Sequence, residues 1–322
     1  MSDLAVKTSS AGGHLDSDQV PWRRVAIFCA IAFAQAWIIA VILWRLGGLS
    51  APQALPLMAV GTMSAPTVAH LLTRLLTHEG WADMWLRPRL RIGWRYWLLA
   101  WFGVAALILV GMVVYFALFP QHYDPKLTAV LQQIPPEYSI SPWAIAVQGL
   151  LRGLLISPFV NGLATFGEEF GWRGYLLPRL MPLGVRKATL LTGVIWGVWH
   201  APYIAMGHNY GLAYRGAPWL GILAMVWFCV IVGTALAFLS WRAGSVWPAV
   251  IGHAVLNGLA NTPTLFLRGA PNPLLGPLVV GVIGGIGFAV VALVLWWRDD
   301  EWVRPLAQPE ADSEPAAPTT AP

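Results

Sequence analysis

Eight apolar stretches, each close to the length of a bilayer crossing, occupy most of this chain of 322 residues. A membrane-spanning helix needs roughly 20 mostly apolar residues. The stretches run from about Val25 to Trp44, Pro52 to Leu76, Trp94 to Phe119, Pro142 to Trp172, Ala188 to Met206, Pro218 to Ser240, Ser245 to Asn261 and Leu274 to Trp297. Composition agrees: 57% of residues are hydrophobic and 11% charged, where a soluble domain carries about 25% charged residues. A disordered chain, a coiled coil and a disulfide scaffold are excluded, and Cys29 and Cys229 both lie inside apolar runs. The expected fold is all-α, a polytopic membrane helical bundle of about eight transmembrane helices.

The segments order themselves along the chain. Residues 1–20 make a polar N-terminal tail, 21–139 hold the N-terminal transmembrane helices, 140–265 hold the polar residues of interest, 266–303 the last helix. Residues 304–322, rich in Pro, Ala and acids, are expected to be a disordered tail. The first apolar run has full span length and no small-residue cleavage site after it, so it reads as an anchor rather than a removed signal peptide. The formal net charge is +5. In so apolar a chain the Lys and Arg belong at membrane faces, and no nucleic-acid partner is expected. On an eight-span reading, fifteen of the 20 Lys and Arg fall on the side of the two termini, while Arg45, Lys126, Arg215 and Arg268 fall opposite and Arg152 lies within span four. Both termini are therefore expected to be cytoplasmic, in an integral protein of the cell membrane. Trp94, Tyr96, Trp97 and Trp101 read as an interfacial belt. Gly193-xxx-Gly197 and Gly281-xxx-Gly285 read as small faces for close helix approach.

The informative residues are those that are expensive inside a bilayer. Two adjacent acids, Glu168 and Glu169, lie near the inner end of span four, and an ionisable residue at such depth is a functional hypothesis by default. Asn161, Thr165 and Glu168 recur at helical spacing and share one face. That polar stripe must look into protein or a wet cavity. Glu169 points about 100° away, toward Arg173 at i+4, a natural ion pair. Glu168 is thereby left free toward the cavity, as a general base requires. His200, followed by Pro202 and an expected bend, and His253, followed by Asn257 at i+4, lie in two further spans. His70, near the inner end of span two, reads as an interfacial or packed polar residue.

A carboxylate, two imidazoles and an amide can activate water and hold a developing oxyanion. If a zinc ion takes part, His200 and His253 are its expected ligands, with carboxylate or water completing the site. No His-Glu-x-x-His helix is present, so the site is not that of a standard zincin. A proton-coupled transporter, relaying protons through Glu168 and the His, is the alternative. Such transporters show duplicated halves and paired broken helices, which this sequence lacks.

Three motifs in order on three spans carry a resemblance: Glu168-Glu169-Phe-Gly-Trp-Arg173, Trp196-Gly-Val-Trp-His200 and His253-Ala-Val-Leu-Asn257. Together they resemble the CAAX-protease and bacteriocin-processing family of intramembrane peptidases, with Trp196 where Phe is commoner. The resemblance makes residues 140–265 a CAAX-protease-like catalytic core and the chain a hydrolase of the glutamate or metallo type. It implies that Glu168 activates the water and that His200 positions that water or a metal. His253 and Asn257 would stabilise the oxyanion, and Glu169 and Arg173 would orient the site. The implied substrate is a membrane-embedded or membrane-associated peptide or protein. To bring Glu168 to the depth of the two His, span four is expected to continue toward Leu177, stopping before Pro178, with Arg173 snorkelling to the inner face. The site is expected in the cytoplasmic half, open to the cytoplasm.

Overall fold

The computed structural model describes residues 19–135 and 140–303. Most of the N-terminal tail and the whole 304–322 tail lie outside these. The described residues form a helical membrane bundle without a β-strand; one isolated bridge joins Tyr123 and Leu267. Among the described residues, five helices are long and apolar enough to cross a membrane: α1 (Trp22–Arg45), α2 (Ala54–Leu76), α3 (Leu90–Leu118), α4 (Pro142–Leu183) and α6 (Trp219–Ala243). The other three expected segments are shorter helices, α5 (Val185–Trp199), α7 (Trp247–Leu259) and α8 (Ile286–Trp297), of 15, 13 and 12 residues. At about 1.5 Å per residue, none of these three covers a core of roughly 30 Å alone. The eighth apolar run thus departs from expectation. Its first half is turns and bends, because Gly281, Gly284 and Gly285 lie there among close backbone contacts rather than on a helix face.

Helix α4 is the longest of these, at 42 residues, and it passes through Pro158 and Pro178 before ending at Pro182-Leu183. Proline lacks an N–H and crowds the carbonyl four residues back. At Pro158 that carbonyl is Leu154 O, which a π-helical turn over Arg152–Ile156 displaces and Trp101 Nε1 caps at 2.7 Å. A second π turn, Trp172–Leu176, precedes Pro178. The helix therefore does not stop before Pro178; it runs on to Leu183. Its first half is lipid-facing, with Phe159, Val160 and Leu163 strongly exposed, whereas residues from Gly167 to Leu177 are buried in the bundle. Helices α5 and α6 meet where Gly193 and Gly197 admit Val230 and Val226, the close approach their spacing promised.

Successive helices run antiparallel, so the loops sort onto two faces. The basic face carries the start of α1, the 77–89 loop and the α4–α5 and α6–α7 turns, closed by contacts such as Arg186–Asp299 at 2.8 Å and Trp247 Nε1 to Leu86 O at 2.7 Å. The opposite face carries the α1–α2, α3–α4, α5–α6 and α7–α8 connections, tied by Asp124 N–H to Phe266 O at 2.8 Å and the Tyr210 hydroxyl to Val280 O at 2.9 Å. Arg173, counted on the basic face from sequence, is instead fully buried within the bundle.

Candidate active site

Glycine decides where α4 and α2 touch. A side chain at Gly167 would meet Met63 O at 2.5 Å, and one at Gly171 would collide with Pro66. The two helices thus cross at the level of Glu168 and Glu169, with no room for a Cβ between them. Thr165, one turn earlier, donates to Val250 O at 3.1 Å and so ties α4 to α7. It does not join Asn161 and Glu168 on the cavity wall, as the shared helical face predicts.

Behind the crossing, Glu169 Oε1 accepts from Arg173 Nη1 at 2.9 Å, the expected i,i+4 pair. The same oxygen accepts from His253 Nδ1 at 2.8 Å, a contact between α4 and α7 that sequence spacing does not reveal. Arg173 does not snorkel. Its guanidinium lies 4.5 Å from the centre of the Trp196 ring and is shielded from solvent. Burying a charge is tolerable only when it is paired, and Glu169 supplies that pairing for Arg173.

Glu168 takes the other side. It is 3% exposed and its Oε2 accepts from Trp196 Nε1 at 2.7 Å. Trp196 also stands edge-on to His253, with ring centres 5.4 Å apart, and its carbonyl accepts from His200 Nδ1 at 2.8 Å. Both partners of the imidazoles are acceptors, so Nδ1 carries the proton in each ring and Nε2 is the nitrogen left for the cavity. Helix α5 ends at Trp199 and restarts as Ala201–Ala205, the break expected at His200.

Glu168, Trp196, His200, His253 and Asn257 line one cavity of about 490 Å³, together with Asn161 and the π turn of α2. Glu169 and Arg173 lie behind its wall. The sequence predicts an opening toward the basic face; the lining instead runs from Glu168 to Asn209, Asn257 and Asn261 on the opposite side, away from the α2–α4 crossing. Among the described residues, no three His, Cys, Asp or Glu side chains gather closely enough to hold one metal ion.

A second polar cluster pins the basic face. Glu79 accepts from Arg179 and from the Tyr175 hydroxyl, the latter at 2.9 Å, and lies 3.5 Å from Arg24. Asp83 accepts from Arg74 at 2.7 Å and from Arg179 at 3.4 Å. His70 is not interfacial but fully buried, its Nε2 accepting from Arg74 at 2.7 Å and its Nδ1 donating to Phe170 O at 2.9 Å. Burial works to raise the Asp83 carboxyl, but the hydrogen bond and charge of Arg74, joined by Arg179, hold it below its ordinary range. The cluster locks α1, α2 and the end of α4 together beneath the site.

An integral membrane bundle with acid, imidazole and amide groups around an internal cavity defines the class. Residues 150–259 match the family model described as type II CAAX prenyl endopeptidase, Rce1-like. The curated CAAX prenyl protease 2 of Methanococcus maripaludis is 32% identical, over 22% of this chain and 31% of its own length. The aligned part is thus under a third of that relative. The core of the chain, residues 150–259, is thus similar to the CAAX-protease family that the three motifs resemble.

Proposed function

We propose that the chain is an intramembrane endopeptidase in which Glu168 is the general base. Glu168 removes a proton from water, and the hydroxide adds to the carbonyl carbon of the scissile bond. His200, its Nδ1–H held by the Trp196 carbonyl, offers Nε2 as an acceptor that orients the water. The oxyanion that forms accepts from the Asn257 amide and from His253 when Nε2 is also protonated, with Glu169 as counter-ion. Collapse breaks the C–N bond, and Glu168 returns its proton to the leaving amine. No step passes through a metal.

One observation carries this reading: a carboxylate, two imidazoles and an amide from three helices line one cavity, while the second carboxylate is neutralised behind it. The floor at the α2–α4 crossing favours a reaction chamber over a proton-coupled translocation path. The substrate is a membrane-embedded or membrane-associated peptide or protein, the protein resides in the cell membrane, and its termini are cytoplasmic. The test is cleavage of quenched-fluorescent peptides by the purified chain in nanodiscs. Turnover is expected to fall about 100-fold or more in Glu168→Gln and to survive dialysis against a chelator. Loss of turnover to the chelator, restored by zinc, overturns the metal-free mechanism. Proton flux without any cleavage favours the transporter.

A further inference from the structure

The cavity has one closed end and one open end. On the basic-face side, beyond Glu168, Trp172, Arg173, Tyr175 and Leu176 are fully buried, and Gly167 and Gly171 press against Met63 and Pro66. In the other direction accessibility rises step by step. Glu168 and His253 are nearly buried, Asn257 is exposed one turn beyond His253, and Asn261 is exposed a turn further on. Asn209, in the α5–α6 connection, and Leu55, 78% exposed at the start of α2, complete the rim. All of these rim positions belong to the face with few basic residues.

The positive-inside rule gives that face a side of the membrane. Short loops rich in Lys and Arg stay cytoplasmic. With Arg173 removed to the interior, the basic face still holds twelve Lys and Arg among the described residues against Arg45, Lys126, Arg215 and Arg268 on the other. The open end therefore faces away from the cytoplasm.

The lining narrows the chemistry. Glu168 is the one carboxyl group of the lining, beside the imidazoles of His200, His208 and His253, and the rim offers the amides of Asn161, Asn209, Asn257 and Asn261. No Lys or Arg is among the lining residues to receive a terminal carboxylate or a phosphate. Amides pair with the N–H and C=O groups of an extended backbone. Resting on the peptidase reading of this cavity, we infer that the substrate is an uncharged, extended peptide segment entering from the non-cytoplasmic side, cut internally rather than beside a free C-terminus.

The test separates the side of entry from the activity. In a background with Cys29 and Cys229 replaced by Ala, Asn261→Cys, Asn209→Cys and, as a control, Arg91→Cys are exposed to a membrane-impermeant maleimide. In intact cells the first two are expected to be labelled and the third only in inverted vesicles. Labelling of Asn261→Cys and Asn209→Cys in inverted vesicles alone overturns the inference, whatever the peptidase does. In proteoliposomes whose rim face is outward, an added neutral peptide is expected to be cleaved equally with a free or an amidated C-terminus. A strict requirement for the free carboxylate overturns the substrate assignment. Labelling as expected, with no peptide cleaved, sinks the peptidase reading and the substrate assignment with it, while the side of the opening stands.

Discussion

The indole of Trp196 donates to the Glu168 carboxylate at 2.7 Å, and this fixes which oxygen of the proposed base is left for water. A carboxylate has several acceptor positions, and the indole occupies Oε2. Phe, the commoner residue in the resembling motif, has no donor. Trp196→Phe keeps a ring against Arg173 and His253 but removes the N–H. A hydrogen bond to a charged group contributes about 1.5–3 kcal/mol, so kcat is expected to fall roughly 10- to 100-fold. KM and thermal stability in detergent should stay near wild type. A matching loss of stability, or a change confined to KM, would mean that Trp196 only fills space.

The two adjacent acids separate by partner. Glu168→Gln is expected to keep the fold and abolish cleavage. Glu169→Gln strands the buried Arg173 and weakens the hold on His253. Leaving a buried charge without its partner costs about 3–5 kcal/mol, so a large drop in Tm is expected together with lost cleavage. The double variant Glu169→Gln, Arg173→Met removes the stranded charge. It should recover much of the stability and none of the turnover, because His253 remains unheld. Recovery of turnover would show that Glu169 serves Arg173 alone.

Much of this site was legible because α-helical geometry is local. Glu169 with Arg173, and His253 with Asn257, follow from spacing of four residues on one helix. The contacts Glu169–His253 and Trp196–Glu168 were not legible, since they depend on the register between helices. That register is set by which glycines let backbones touch. The start of α8 was also misplaced, because an apolar run reads as helix even where Gly281, Gly284 and Gly285 pack as turns. Counting residues from the span ends gave a depth for Glu168. It did not say which end of the cavity closes, and Gly167 and Gly171 decide that.

Those two glycines make the next prediction. At Gly171 a methyl group would overlap Pro66, and the atoms it meets include backbone, which cannot swing aside. Overpacking of this kind destabilises by about 1–3 kcal/mol. Gly171→Ala is expected to lower Tm and, by pushing α4 off α2, to lower cleavage as well. Gly162→Ala, where a Cβ meets nothing within 4 Å, is the matched control on the same helix and should change neither. Equal behaviour of the two variants would show that the crossing tolerates separation.

Acid sensitivity at the basic face can be given a sign. Asp83 is held below its ordinary value of 3.8 by Arg74 and Arg179, against the opposing effect of burial. Its folded form thus binds protons less readily than its unfolded form. The stabilisation is fully present above the unfolded value and is lost as pH falls through the folded one. Asp83→Asn lacks this contribution at every pH. The Tm gap between wild type and variant should therefore be constant from neutrality to about pH 5 and close below about pH 4. The Asp83 side chain is 57% exposed, so solvent screening keeps the gap small, at most about 1 kcal/mol. High salt should narrow it further. Thermal unfolding in detergent across pH 3–7 measures it, and a gap that persists undiminished at pH 3 would show that the Arg74–Asp83 contact does not depend on the carboxylate's charge.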